Sequence, residues 1–473
     1  MSQRYLGLDY LRALLIARLV AFHSALGYAD FGRPLPPSVV PISDPVTWSG
    51  FELFTRLNEI FSMSLMFFIS GLFVWPGLAR RGALGYALAR GRRLGIPFVL
   101  AVVFLMPLAL YPAYRALGLD LGLLAYLQAL VAGRGWSAGP LWFIWLLLAF
   151  DLCAAAIYRM APTAFEALGR IAARAAQRPL RLYWGFVACA AIAYLPMVVG
   201  FGPWAWVSLG PFGLQPSRLL HYALYFFAGV GVGAYGLGRG PLGESSVLVR
   251  HWARWALLAA ALHLFFATAV YPIVGALVAA SPFLGLVFYG LAFVTACAAT
   301  TFALLGLFQR FLTRRIGAAD SLAANSYGIY LVHYFFVLWG QYLLLGSSLP
   351  PQIKAATVFA GALALSWLGT ALVRRIFVRV GRNVGARTER GTDPSSLAPD
   401  LDPRSGRIGP WPSGLPWGRS RCRIRGEGAN QWLRSRSAWS GAADAWDACW
   451  WRRRTPPTAA AWLPAARRRG ARS

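Results

Sequence analysis

Ten times along the chain, a run of about twenty mostly apolar residues gives way to a break rich in arginine, proline or glycine. The runs cover residues 8–29, 57–78, 94–113, 140–159, 182–201, 218–237, 253–272, 283–308, 323–345 and 355–378. A helix rises ~1.5 Å per residue, so about 20 apolar residues cross the ~30 Å hydrocarbon layer of a bilayer. Lipid offers backbone amides no partner, and only helices or closed barrels satisfy those groups internally. The expected fold is therefore all-α, a polytopic membrane helix bundle of about ten transmembrane helices. Composition agrees: 58% of the 473 residues are hydrophobic and 13% charged, against roughly 45–50% and 25% in soluble domains. Asp9 and Arg12 interrupt the first run, which reads as a signal anchor rather than a cleaved leader.

Arginine sets the sidedness. Four alternate connections hold Arg80, Arg81, Arg90, Arg92 and Arg93; Arg159, Arg170, Arg174, Arg178 and Arg181; Arg239, Arg250 and Arg254; and Arg310, Arg314 and Arg315. The remaining connections hold only Arg33, Arg56, Arg115, Arg134, Arg218 and Lys354. Cytoplasmic loops carry the excess of basic residues, which places both termini in the cytoplasm. The same asymmetry accounts for most of the net charge of +29. These arginines suit one membrane face and its anionic headgroups better than nucleic acid. Lys354 is the one lysine among 46 basic residues, which reads as codon bias.

Composition divides the chain at about residue 383. Residues 1–382 form the transmembrane domain. Residues 383–473 mix Pro, Gly and Ser with 17 arginines, seven acids and eight tryptophans. Sequence of this kind lacks the apolar periodicity to fold alone. The expectation is a disordered tail, read as an out-of-frame extension, with a basic membrane-surface tether as the alternative. Cys153, Cys189 and Cys297 lie in apolar runs and Cys422 and Cys449 in the tail, so no disulfide framework emerges. No metal-ligand spacing or nucleotide-binding glycine motif is present.

Ionisable residues inside apolar runs then become the candidates, because each is costly in lipid. The first run, "LDYLRALLIARLVAFHSALGY", carries Asp9, Arg12, Arg18 and His23. At 3.6 residues per turn, Arg12 and His23 point within about 20° of each other, some 16 Å apart along the axis. Asp9 falls near the same stripe; Arg18 lies off it, facing a neighbouring helix or headgroup. A cation at the cytoplasmic mouth and a titratable base deeper on the same face suit a substrate that is anionic at one end and reactive at the other.

These residues resemble the acyltransferase-3 family of bacterial integral-membrane O-acyltransferases, which includes glucan-succinylating and O-antigen-acetylating proteins. The resemblance spans residues 5–380. Its strongest element is Arg12 and His23 with ten residues between them. The second is the Arg-x-x-Arg of "ARGRRLGIP", Arg90 and Arg93, expected in a cytoplasmic loop before the third helix. "SMSLMFFISGLF" at 62–73, "GPLWFIWLLLAFDL" at 139–152 and "NSYGIYLVHYFF" at 325–336 are similar as well.

The resemblance implies transfer of an acyl group of the acetyl or succinyl class from cytoplasmic acyl-CoA to a hydroxyl of a cell-envelope carbohydrate. Acyl-CoA is then a co-substrate, with no permanently bound cofactor, no metal and no nucleic-acid partner. A bacterial inner membrane would house the multi-pass protein. His23 is implied as the catalytic base or acyl carrier, Arg12 as its catalytic partner, and Arg90 and Arg93 as the grip on CoA phosphates. Asp9 and Glu59 are supports that could tune His23, and His333 is a further support. Asp151 is expected to be structural, protonated or paired with arginine, and His263 structural. Ser70 is read as a packing residue and Trp142 as part of an interfacial belt. The alternative is a secondary transporter or flippase-like protein for a small anionic or glycolipid substrate. That class usually shows internal repeats, and no self-similarity between the halves is evident.

Overall fold

The computed structural model describes residues 5–32, 39–119, 122–133, 136–238, 240–243 and 246–390. The chain opens with α1 (Leu6–Leu26), followed after a loop by α2 (Ser49–Glu59), α3 (Ser62–Gly71) and α4 (Val74–Arg90). The helix of α4 continues through α5 (Ile96–Leu100) and α6 (Met106–Ala116), and α7 (Leu123–Gly133) follows. Next come α8 (Trp142–Met160), α9 (Thr163–Ala176) and α10 (Pro179–Phe201). A two-stranded antiparallel hairpin, β1 (Val207–Leu209) and β2 (Phe212–Leu214), pairs Leu209 with Phe212 and leads into α11 (Pro216–Tyr235). The last part holds α12 (Val247–Arg250), α13 (Trp252–Phe265), α14 (Tyr271–Ala280), α15 (Pro282–Phe311), α16 (Gly317–Leu344) and α17 (Pro351–Arg390). Residues 391–473, nearly all of the expected tail, lie outside the described residues.

Six helical stretches among the described residues are long and apolar enough to cross a membrane: Val74–Ala116, Gly139–Met160, Pro179–Phe201, Trp252–Ala280, Pro282–Phe311 and Pro351–Ile376. Five of them contain one of the ten expected runs whole, and Pro351–Ile376 holds all but the last two residues of the run at 355–378. Three further runs form α1, α11 and α16, of 21, 20 and 28 residues, whose polar side chains set them apart from the six. These polar helices pack inside: Leu8, Leu11, Leu15 and Val20 of α1, Tyr225 and Val230 of α11, and Ile329 and Val337 of α16 are all buried. Ionisable groups in a membrane face the bundle interior, where they find partners.

The expected run at 57–78 is broken. It comprises the end of α2, the ten-residue α3 and the start of α4. The first break falls beside Glu59, where Ser62 Oγ donates to Asn58 O (2.8 Å) and takes the place of a continuing helix. Interrupted helices in membranes need neighbours to satisfy their backbone, and α3 is enclosed by α11, α8 and α1.

Another departure concerns Arg90 and Arg93. They sit in no loop but in a helix that turns sharply only at Gly82 (φ 67°), then runs on through a π-helical turn at Gly91–Gly95. Further π turns occupy Ala101–Leu105 and Phe266–Val270. Each is followed two residues later by a proline, Pro97, Pro107 or Pro272. Proline lacks an amide proton and clashes with the carbonyl four residues back. Widening the preceding turn relieves that clash and keeps the helix continuous.

Between apolar helices in lipid, close backbone approach replaces the hydrophobic effect as the source of packing energy. The α3–α11 seam has this character: a Cβ at Gly71 would strike Phe226 O, at Gly229 Phe68 O, and at Gly233 Leu72 O. Gly229→Ala is therefore expected to destabilise the protein by roughly 1–3 kcal/mol, the usual cost of overpacking. Thermal unfolding in detergent would register it. An unchanged midpoint would show that the seam can open freely.

Candidate active site

A cavity of about 440 Å³ opens between α1, α3, α4, α8 and α16. Five arginines line it: Arg80 and Arg81 before the Gly82 corner, Arg90 and Arg93 beyond it, and Arg12 of α1. Asp9 is the single carboxylate in the lining. Arg80, Arg81 and Arg93 are exposed, whereas Arg12 and Arg90 are half-buried. Geometry explains the convergence, because the Gly82 turn brings Arg80 and Arg81 to the helix that carries Arg90. Residues three apart also share a helix face, which brings Arg90 and Arg93 together.

Two of these arginines are fixed from behind. Tyr86, one turn before Arg90, donates its hydroxyl to Asp151 Oδ1 of α8 at 2.5 Å and accepts from Arg90 Nε at 2.9 Å. Arg90 Nε also lies 3.3 Å from Asp151 Oδ2, and the Asp151 side chain is fully buried. Asp151 is thus arginine-paired, and its pairing holds a cavity-lining residue. Arg12 donates from Nε to Ser326 Oγ (3.3 Å) and from Nη2 to Asp9 Oδ1 (3.2 Å) and Ala323 O (3.4 Å). Planar guanidinium forks held in this way suit phosphate and carboxylate oxygens.

His23 lies further along α1, on the same side, against α16. Its Nδ1 is 3.1 Å from Nε2 of His333, which is buried. His333 Nδ1 lies 2.7 Å from Tyr330 O. A carbonyl only accepts, so His333 Nδ1 carries a proton. With both rings neutral, His333 Nε2 must then accept from His23 Nδ1, and His23 Nε2 keeps a free lone pair. Edge contacts with Phe22 and Tyr334, each 5.1 Å between ring centres, hold the imidazole. Gln341 Nε2 donates to the backbone oxygen of His23 at 2.9 Å. A base oriented through its second nitrogen is the usual arrangement for proton abstraction.

The cavity lining reaches Ile16 and Tyr330 but does not include His23. Ile16 and His23 are seven positions apart on α1, about 10 Å of helix. The stripe of Asp9, Arg12 and His23 is continuous along α16, with Tyr330 as the link: it lines the cavity, and its carbonyl orients His333.

Neither carboxylate suggested by the sequence as a tuner touches His23. Asp9 binds Arg12, and Glu59 Oε2 pairs with Arg218 Nη2 at 3.2 Å on α11. Glu59 is drawn away because buried Arg218 needs a counter-charge. Arg18 stacks on Phe61, with its Cζ 4.6 Å from the ring centre. His263 packs edge-on to Phe61 and lies 2.9 Å from Ala259 O. Ser70 donates to Met66 O at 2.8 Å and lines the arginine cavity. Trp142 stacks on Tyr222 at 5.7 Å and meets Trp206 edge-on at 5.8 Å.

Sequence reasoning missed Tyr86, Ser326 and the cavity role of Arg80 and Arg81. The four-residue spacing of Tyr86 and Arg90 was the available signal. It also passed over His221, a buried residue of α11 whose ring nitrogens have no hydrogen-bond partner among the described residues. Among the described residues, no group of three or more His, Cys, Asp or Glu could hold a metal ion.

Residues 5–371 match a family model described as an acyltransferase domain. No curated protein and no solved structure matches the chain.

Proposed function

The chain belongs to the acyltransferase-3 family and is a membrane acyltransferase; from that premise we propose that it moves an acetyl- or succinyl-class acyl group from cytoplasmic acyl-CoA to a hydroxyl of a cell-envelope carbohydrate. The observation that carries this reading is the five-arginine cavity, which runs along α1 to Tyr330 and, through its carbonyl, to the His333–His23 pair. In this reading the chain crosses a bacterial inner membrane ten times, with the broken α2–α4 segment as one crossing and both termini in the cytoplasm.

The CoA phosphates would bind Arg80, Arg81, Arg90 and Arg93, with Arg12 nearer the thioester. The pantetheine arm would pass Ile16 and Tyr330 to bring the thioester carbonyl to His23. There Nε2 takes the proton of the acceptor hydroxyl as its oxygen attacks that carbonyl. The carbon–sulfur bond breaks as the ester forms, and the thiolate of CoA leaves and takes the proton from His23 Nε2, which restores the neutral base. His333 holds the His23 ring in the tautomer this requires.

Purified full-length protein, given radiolabelled acetyl-CoA or succinyl-CoA and isolated envelope glycan, should release CoA and label the glycan. Ion-driven uptake of solute without CoA release would replace this reading with transport. Arg90→Lys keeps the charge but loses the fork that meets Tyr86 and the phosphates. It should raise KM for acyl-CoA by roughly tenfold to a hundredfold, the loss of a charge-assisted hydrogen bond, and leave kcat nearly unchanged. A fall in kcat at unchanged KM would contradict a donor-binding role for Arg90.

A further inference from the structure

A second cavity, about 890 Å³ in volume, lies between α9, α10, α11 and α15. It backs onto the arginine cavity across α3: Phe68 lines the second, while Met66, Ile69 and Ser70 line the first. Three arginines, Arg174, Arg178 and Arg181, stand at one end. All three are exposed, and none is paired with a carboxylate among the described residues. Apart from them, Gln177, Cys189 and Thr301, the lining is apolar.

The dimensions are those of one leaflet. Along α10 the lining runs from Arg178 to Cys189, eleven residues or about 16 Å of helix. Half of a ~30 Å hydrocarbon layer is about 15 Å. A groove with cations at the headgroup level and an apolar channel one leaflet deep complements a lipid in both charge and length. Among the described residues no carboxylate lines it, and three guanidinium groups at one end favour a headgroup with net negative charge over a zwitterion. α10 also begins beside Arg178 and Arg181, at Pro179, with the positive end of its dipole.

We propose that this groove is a binding site for one anionic glycerophospholipid of the surrounding bilayer, its phosphate held by Arg174, Arg178 and Arg181 and an acyl chain lying along α10 toward Phe68 and Phe302. The site is independent of the acyl-transfer reading.

The test uses full-length protein in phosphatidylcholine nanodiscs containing a minor share of phosphatidylglycerol with a photoreactive diazirine in one chain. Adducts are mapped by mass spectrometry. They should concentrate on the lining segments of α10, α11 and α15, and unlabelled phosphatidylglycerol should displace them where added phosphatidylcholine does not. Replacing Arg174, Arg178 and Arg181 together with glutamine should lower groove adducts by roughly tenfold or more, while labelling elsewhere on the lipid-facing surface persists. Gly185 lines the groove, and nothing lies within 4 Å of where its Cβ would stand. Gly185→Phe should therefore block the chain with all three arginines intact and give the same loss. Uniform labelling around the protein, equal displacement by phosphatidylcholine, or wild-type labelling of Gly185→Phe would overturn the proposal.

Discussion

Replacing His23 with alanine is expected to lower kcat for acyl transfer by roughly 10²- to 10⁴-fold, the contribution of a positioned general base. KM for acyl-CoA should change little, because His23 is absent from the lining of the arginine cavity. The partner variant makes the test specific. His333→Ala removes the acceptor 3.1 Å from His23 Nδ1 and frees the ring to adopt either tautomer, so kcat should fall by a smaller factor. The double variant should be no slower than His23→Ala alone, since groups that act as a unit are not additive. Full transfer by a folded His23→Ala protein would refute the proposed chemistry. Multiplicative losses in the double variant would separate the two histidines into independent roles.

The largest effect on stability is expected at Lys354. This only lysine of the chain is 1% exposed, and its Nζ lies 2.8 Å from Oδ2 of Asp44, itself 4% exposed. Asp44 also takes the amide of Val46 on Oδ1 at 3.0 Å and donates its own amide to Gly27 O at 2.9 Å. The pair thus ties the loop after α1 to the start of α17. Lys354→Met leaves a buried carboxylate without its cation, a loss of about 3–5 kcal/mol. Combining it with Asp44→Asn should restore much of that, because the amide keeps the loop hydrogen bonds without the charge. Unfolding midpoints of the single and double variants in one detergent decide the matter. Equal losses in both would show that the ion pair is not what holds the loop.

Much of this architecture was legible in the sequence. Apolar runs of membrane length marked the six helical stretches long and apolar enough to cross a membrane and also α1, α11 and α16, since helix length in lipid follows from bilayer thickness. Helical periodicity put Asp9, Arg12 and His23 on one stripe, and the structure places that stripe along α16. The break within 57–78 has a sign in the sequence, the charged Glu59 three positions into the run. The loop expected for Arg90 and Arg93 was wrong because a π turn carries the helix across the Pro97 defect. Lys354 was counted only among the loop charges, and it is buried. Its partner Asp44 lies 310 positions away, and a single sequence holds no record of such a pairing.

The sequence by itself therefore determined the solvent of this protein and the direction each helix face must take. A costly charge in lipid leaves few choices of surroundings. The tertiary structure alone decided the partners: His333 for His23 in place of Asp9 or Glu59, Asp151 and Tyr86 for Arg90, Arg218 for Glu59, and Phe61 for Arg18. Periodicity fixes the angle of a side chain about its own helix. Which neighbour stands at that angle depends on packing between segments far apart in the chain.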